Sequence, residues 1–321
     1  MREARVAIVT ARRVAAAGED TAAVLARAKD GIERVAKDRA DLVLLSEEFA
    51  NPAAESTRQA VAAAAQTVPG PVSEELAALA RKFGTYIAFG MLRRKGTRIF
   101  NSLVLLDRSG KPVWYFDKAT PMAEEMQLGI MPGAKPRAYD TDFGRLGAAI
   151  CFDINFLELA ELLSRQQTEL VLFSSAFPGG RLLDVWAIRY GFAVAGCTWY
   201  AENRILDCTG AVVGRTSDIL PFTTAVLNLN RRVVHMDGNL GKLENMRQKF
   251  GGDVLVEDLR QEAVCVITSL KKGLEVADLI REFDVELLPD YFDRARGVRA
   301  SYGGLPVPPW GKGAPRPKAA K

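Results

Sequence analysis

The chain predicts an α/β protein whose sheets carry helices on both faces. Short aliphatic runs alternate with segments of helical periodicity from the first residues onward. Those runs are nearly continuous in Val, Ile, Leu and Ala, the mark of strands buried on both sides. At 321 residues and 48% hydrophobic content, the chain can bury one large α/β core or two small ones.

Arg5 to Thr10 reads as the first strand. Glu19 to Ala40 places Val24, Leu25, Ala28, Ile32, Val35 and Ala36 at helical spacing, with Asp20 near its start favoured by the helix dipole. Leu42 to Leu45 is a second buried strand and ends in Ser46-Glu47-Glu48. Ser73, followed by Glu74 and Glu75, opens a helix to Phe83 that Gly84 stops. Tyr86 to Leu92, Phe100 to Leu106 and Val113 to Phe116 form a meander, with Asp107-Arg-Ser-Gly110 turning between the last two. The alternation then resumes. Leu146 to Cys151 is a strand, Phe156 to Arg165 a helix, Leu170 to Ser174 a strand and Leu183 to Val194 a helix. Arg204 to Leu206 and Thr223 to Leu229 are further strands, separated by a turn at Thr209-Gly210. Helices at Leu274 to Phe283 and Tyr291 to Val298 precede a Pro/Gly-rich tail, residues 301–321, read as extended or disordered, to be ordered only on a partner.

Charge and cysteine content exclude several function classes. The tail holds four bases (Lys312, Arg316, Lys318, Lys321) and no acid. Removing these from the 43 basic residues leaves 39, matched by 39 acids, so the body has no nucleic-acid footprint. Cysteines 151, 197, 208 and 265 form no C-x-x-C pair, which speaks against a zinc ribbon or a thioredoxin-type centre. No disulfide framework is suggested, and a reducing cytoplasm is the expected setting. The first residues lack a signal-peptide core. The uncharged run from Gln59 is broken by Pro69-Gly70-Pro71, so no membrane span is expected.

The stretch Arg145-Leu-Gly-Ala-Ala-Ile-Cys-Phe-Asp153 carries the chemistry. A buried strand delivers a thiol to its C-terminal end, where ligands gather in α/β sheets. Such a thiol is usually an inert small hydrophobe unless a base or a positive charge promotes the thiolate. The one histidine, His235, is the only partner for a Cys/His pair. Glu47 and Lys118, at other strand ends, offer a different solution. Alone, Glu47 reads as a loop carboxylate and Lys118 as a solvated lysine. Glu48 rivals Glu47, and the register of the apolar run decides for Glu47.

Three segments resemble the nitrilase superfamily of carbon–nitrogen hydrolases, whose centre is a Glu-Lys-Cys triad. They are Asp41-Leu-Val-Leu-Leu-Ser-Glu47; Trp114-Tyr-Phe-Asp-Lys118 with Glu125-Met-Gln-Leu-Gly129-Ile-Met-Pro-Gly133; and Gly147-Ala-Ala-Ile-Cys-Phe-Asp153 with Leu172-Phe-Ser-Ser-Ala-Phe-Pro178. Val68-Pro-Gly-Pro71 and Phe100-Asn-Ser102 support them. The resemblance covers residues 4 to 230 well. It implies a four-layer αββα sandwich of two mixed β-sheets, a hydrolase domain over residues 1–300, and a homodimer or higher homo-oligomer. It also implies no cofactor and no metal. Cys151 would be the nucleophile, Glu47 the proton acceptor, Lys118 the group that lowers the thiol pKa and holds the oxyanion, and Glu125 the residue that orients Lys118 or substrate.

The chain departs from the family pattern in places. Ser46 stands where the family has proline. Ala119-Thr120 follow Lys118 where relatives place a histidine. Cys151-Phe-Asp is similar to the amidase and carbamoylase branches, not to the Cys-Trp-Glu of nitrilases. Ile154-Asn-Phe-Leu replaces the Arg-rich stretch of carbamoyl-amino-acid hydrolases, leaving Arg181 or Arg189 to read a substrate carboxylate. The expected activity is cleavage of a linear amide or ureido C–N bond in a small molecule. Nitrile hydrolysis and a non-catalytic binding protein are the alternatives, and a peptidase built on His235 is a distant third. Asp153 is expected to support the site, Trp186 and Tyr190 to be core or interface residues, and Trp310 to anchor the tail on a neighbouring subunit.

Overall fold

A computed structural model describes residues 2–12, 20–51, 57–134 and 136–308. The first half runs β1 (Glu3–Val9), α1 (Thr21–Ala36), β2 (Leu42–Leu44), α2 (Arg58–Ala64), α3 (Pro71–Phe83), β3 (Tyr86–Lys95), β4 (Arg98–Leu106), β5 (Pro112–Asp117) and α4 (Ala123–Gln127). The second runs β6 (Tyr139–Asp140), β7 (Arg145–Ile150), α5 (Leu157–Arg165), β8 (Leu170–Ser174), α6 (Arg181–Tyr190), β9 (Ala193–Cys197), β10 (Arg204–Leu206), β11 (Val212–Arg215) and β12 (Phe222–Asn228). Beyond these lie β13 (Arg231–His235), α7 (Leu240–Phe250), β14 (Val254–Leu259), β15 (Val264–Ser269), α8 (Val276–Glu282) and α9 (Leu288–Ser301).

Two mixed sheets, β12-β1-β2-β3-β4-β5 and β11-β10-β9-β8-β7-β6, pack face to face. Their shared core includes Val6, Ile8, Leu44, Leu103 and Phe116 from the first sheet with Leu146, Ala148, Ile150 and Leu172 from the second. The alternate residues Ala7, Val9, Val43, Ile87 and Val104 bury against Val24, Ile32 and Val35 of α1 and Leu76 of α3. On the far side, Gly147 and Gly196 leave room for Leu163 of α5 and Leu183 of α6, where an added Cβ would stand 2.9 Å and 3.2 Å from those side chains. The αββα layering is therefore as expected. Helix ends follow local chemistry: the Asp20 carboxylate accepts the Ala23 N–H at 2.7 Å, and Gly84 closes α3 at φ +62°.

Two expectations change. The helix read as Leu183 to Val194 stops at Tyr190, where Gly191 turns left-handed at φ +73°, and Ala193–Cys197 forms a central strand. The strand read as ending in Cys151 ends at Ile150, and Cys151 opens a short 3-10 turn, Cys151–Asn155, at φ +49°.

A third sheet, β13-β15-β14, is a split βαβ unit formed with α7. Val234, Cys265 and Ile267 face α7 and α8, while Val233, Val264 and Val266 face Cys208, Leu288 and Phe292. Ion pairs lace this unit to the sandwich. Glu169 accepts from Arg232 (2.9 Å) and Asp207 from Arg231 (2.8 Å), while Glu161 on α5 accepts from Arg296 on α9 (2.7 Å).

Candidate active site

The strand ends of the two sheets meet on one side of the sandwich. Ser174 Oγ donates to the Leu45 carbonyl at the ends of β8 and β2, and Cys197 Sγ to the Val9 carbonyl at the ends of β9 and β1. Into this junction β2 delivers Glu47, β5 delivers Lys118 and β7 delivers Cys151.

Lys118 Nζ donates to Glu47 Oε1 at 2.9 Å and to Glu125 Oε1 and Oε2 at 3.0 Å and 2.8 Å. Lys118 is 1% exposed and Glu47 3%, so both charges are sealed from water. Glu125 sits in the first turn of α4, and its Oε2 also accepts the Met122 N–H at 2.6 Å. Glu124 points into solvent, and Glu48 turns aside toward Asn51. The charge on Lys118 is opposed by burial, but the two carboxylates outweigh that and raise its pKa above the ordinary lysine value.

Glu47 is fixed by further donors: Asn101 Nδ2 reaches its Oε1 at 2.7 Å, and the Ala176 N–H reaches Oε2 at 2.7 Å. Asn101 Nδ2 also reaches Glu125 Oε1 at 3.1 Å and so bridges both carboxylates. Neither Asn101 nor Ala176 was assigned a role from the sequence, although both lie in segments that resemble the family. Asp153 is fully buried and plays the supporting part expected of it. Its carboxylate accepts N–H groups from Ile150 (3.0 Å), Ala119 (3.3 Å) and Thr120 (2.7 Å), tying the Cys151 turn to the residues after Lys118. Burial pushes the Asp153 pKa up to about 6 against these bonds. Trp186 braces the same turn from the core, its indole N–H donating to the Ile154 carbonyl at 3.0 Å.

Cys151 is half-buried, whereas Cys197, Cys208 and Cys265 are buried. Lys118 acts on the Cys151 pKa in the expected direction, downward, but is outweighed. Burial and the Glu47 charge push the thiol up to about 12, against Lys118, Ser175 and the Ala176 N–H. Burial and the Glu47 carboxylate thus favour the protonated thiol over the thiolate. Ultraviolet titration near 240 nm, with the Cys151→Ala variant subtracted, is expected to show no thiolate step below about pH 10. A step near neutrality would mean a preformed thiolate.

The other candidates lie elsewhere. His235 ends β13, stacked 3.8 Å from Tyr291, with Nδ1 accepting the Asp237 N–H. Arg189 lies 3.7 Å over Phe292 at the α6–α9 contact, and Arg181 is exposed at the start of α6. Trp186 is core, and Tyr190 stacks with Phe192. Trp310 falls outside the described residues. Among the described residues, no cluster of His, Cys, Asp and Glu is placed to hold a metal ion, and no helix is long and apolar enough to cross a membrane.

The sequence profile described as carbon-nitrogen hydrolase matches residues 5–197, the stretch that supplies all four of these side chains. The chain belongs to the carbon–nitrogen hydrolase family. This hydrolase is similar to the omega-amidase NIT2 of Danio rerio, 25% identical over 264 residues that cover 78% of this chain and 93% of that one. It is 30% identical to the omega-amidase NIT3 of Saccharomyces cerevisiae over 172 residues, 49% of this chain and 59% of that one. The crystal structure of Saccharomyces cerevisiae Nit3, a member of branch 10 of the nitrilase superfamily, shares the fold. Its TM-score is 0.60 at 23% identity, over 81% of this chain and 97% of that one.

Proposed function

We propose that the protein is a thiol amidohydrolase of small linear amides or ureido compounds, with Cys151 as nucleophile. The observation that carries this reading is the sealed Lys118–Glu47–Glu125 cluster beside a half-buried thiol. Sγ attacks the carbonyl carbon as its proton passes to Glu47, and the carbonyl oxygen becomes an oxyanion facing Lys118 Nζ. The backbone N–H after Cys151 adds a second donor, and one such donor is worth about 3–4 kcal/mol in acyl transfer. The C–N bond then breaks, with Glu47 returning the proton to the departing nitrogen, and a thioester remains. Water attacks this thioester as Glu47 takes its proton, which releases the acid and restores the thiol. Glu125 holds Lys118 in place throughout.

Residues 1–300 act in this reading as one hydrolase domain, supported by the ion pairs to Glu169, Asp207 and Glu161, with 301–321 as a tail. A reducing cytoplasmic setting is supported by four free cysteines. A homodimer across the α5–α6 layer is supported by Leu157, Leu162 and Val185, which stand exposed there. The amide reading rests on omega-amidase likeness over most of the chain. The 35% identity to the bifunctional nitrilase/nitrile hydratase NIT4B of Nicotiana tabacum spans only 26% of that protein.

Ammonia release over a panel of small amides, N-carbamoyl amino acids and nitriles tests the proposal, with Cys151→Ala as blank. Cys151-dependent release from an amide or ureido compound is expected. Release confined to nitriles, release that survives in the blank, or none at all would overturn it.

A further inference from the structure

The main chain that carries Glu47 is held by an unusual clamp. Ser46 is fully buried, and its hydroxyl has no hydrogen-bond partner among the described residues, so it supplies neither a ring constraint nor a bond. The next residue but one, Glu48, is turned left-handed at φ +41° without being glycine. Such a turn holds its shape only if its surroundings impose it. Two side chains from distant segments do so. The Trp199 indole N–H donates to the Glu47 carbonyl at 2.7 Å. Arg12 Nη1 donates to the Glu48 carbonyl at 2.7 Å and the Asn51 carbonyl at 3.0 Å. The Arg12 guanidinium lies 3.8 Å over the Trp199 ring, so the two clamps brace one another. Trp199 lies just beyond the residues that the family profile matches.

We propose that Trp199, braced by Arg12, is a positioning residue for Glu47. This rests on Glu47 being the proton acceptor. Lys118, Asn101 and Ala176 fix the carboxylate at its far end. Trp199 fixes the peptide at the near end, so the oxygen facing the thiol keeps its distance as the proton moves. Without the indole N–H, the Glu47 carbonyl loses its side-chain donor and the carboxylate shifts slightly while its charge and its other partners remain.

The test is a double-mutant cycle on the alkylation of Cys151 by iodoacetamide at neutral pH, a reaction that stays measurable in crippled variants. Wild type, Trp199→Phe, Glu47→Gln and the double variant are compared, with Cys151→Ala subtracted. Trp199→Phe keeps an aromatic ring under Arg12 and deletes the donor. It is expected to slow alkylation about tenfold, the scale of a small misplacement, and to lower kcat for the best amide by a similar factor with KM unchanged. In the Glu47→Gln background it should add nothing, because the indole acts through Glu47. Equal slowing in both backgrounds, or a raised KM with unchanged kcat, would overturn the proposal. If Glu47→Gln itself alkylates at the wild-type rate, the base assignment fails and takes this one with it. That result is read from a different variant.

Discussion

Lys118→Met is expected to lose ammonia release by roughly three orders of magnitude or more, the scale of a missing oxyanion donor, and to be far less stable than wild type. Both effects share one cause. Lys118 Nζ is the common partner of Glu47 and Glu125 in a pocket where Lys118 is 1% exposed. Methionine fills much of the same volume and removes the charge. Two carboxylates are then left facing each other with no ammonium between them. Removing one partner of a buried ion pair costs about 3–5 kcal/mol, which for a chain this long lowers Tm by roughly five degrees. Lys118→Arg separates the two effects. It restores a cation and part of the stability, but a planar guanidinium cannot place one donor on both carboxylates and one on the oxyanion. Wild-type turnover in Lys118→Met would remove Lys118 from the reaction.

Gly90→Ala is the second large effect and comes from a residue with no chemistry of its own. An added Cβ would stand 2.6 Å from Glu47 Cα and 2.7 Å from Glu48 N and the Ser46 carbonyl oxygen. All three are backbone atoms, so no side chain can swing away. The turn that carries Glu47 must retreat by close to ~1 Å, a displacement that costs about a hundredfold in rate at a reacting centre. Overpacking adds about 1–3 kcal/mol of destabilisation. Calorimetry and steady-state kinetics on the purified variant read both. Activity within threefold of wild type would show that β3 yields, not the Glu47 turn.

The legible parts of the fold were those written as apolar runs. β2, β7 and β8 bury every residue or nearly so, as does β1 from Val6 onward, and their sequences say it without tertiary help. β9 is Ala-Val-Ala-Gly-Cys, whose small residues continue the pattern of α6, and only the left-handed Gly191 separates them. The site divides in the same way. Glu47, Lys118 and Cys151 each follow closely on a strand and carry functional groups, so their types and places announce them. Asn101, Ala176, Gly90 and Trp199 act through a side-chain amide, a backbone N–H, an empty space and an indole aimed at a carbonyl. Each matters because a segment far away in sequence arrives beside it. The thiol pKa has the same origin: a lysine near a cysteine suggests a thiolate until burial and the Glu47 charge are counted.

Strand β1 lies between β12 and β2, pairing Glu3 with Asn228 and Val6 with Leu42. Strand β1 is thus bonded on one side to a partner made more than two hundred residues later. A nascent chain cannot complete that sheet until β12 has left the ribosome, and until then one edge of β1 is unpaired. Pairing across such a separation costs loop entropy before it gains contacts and favours slow folding. The exposed edge is open meanwhile to other strands. Expression of this protein is therefore expected to be sensitive to translation speed and to chaperone supply, a vulnerability set by topology and independent of the catalytic centre.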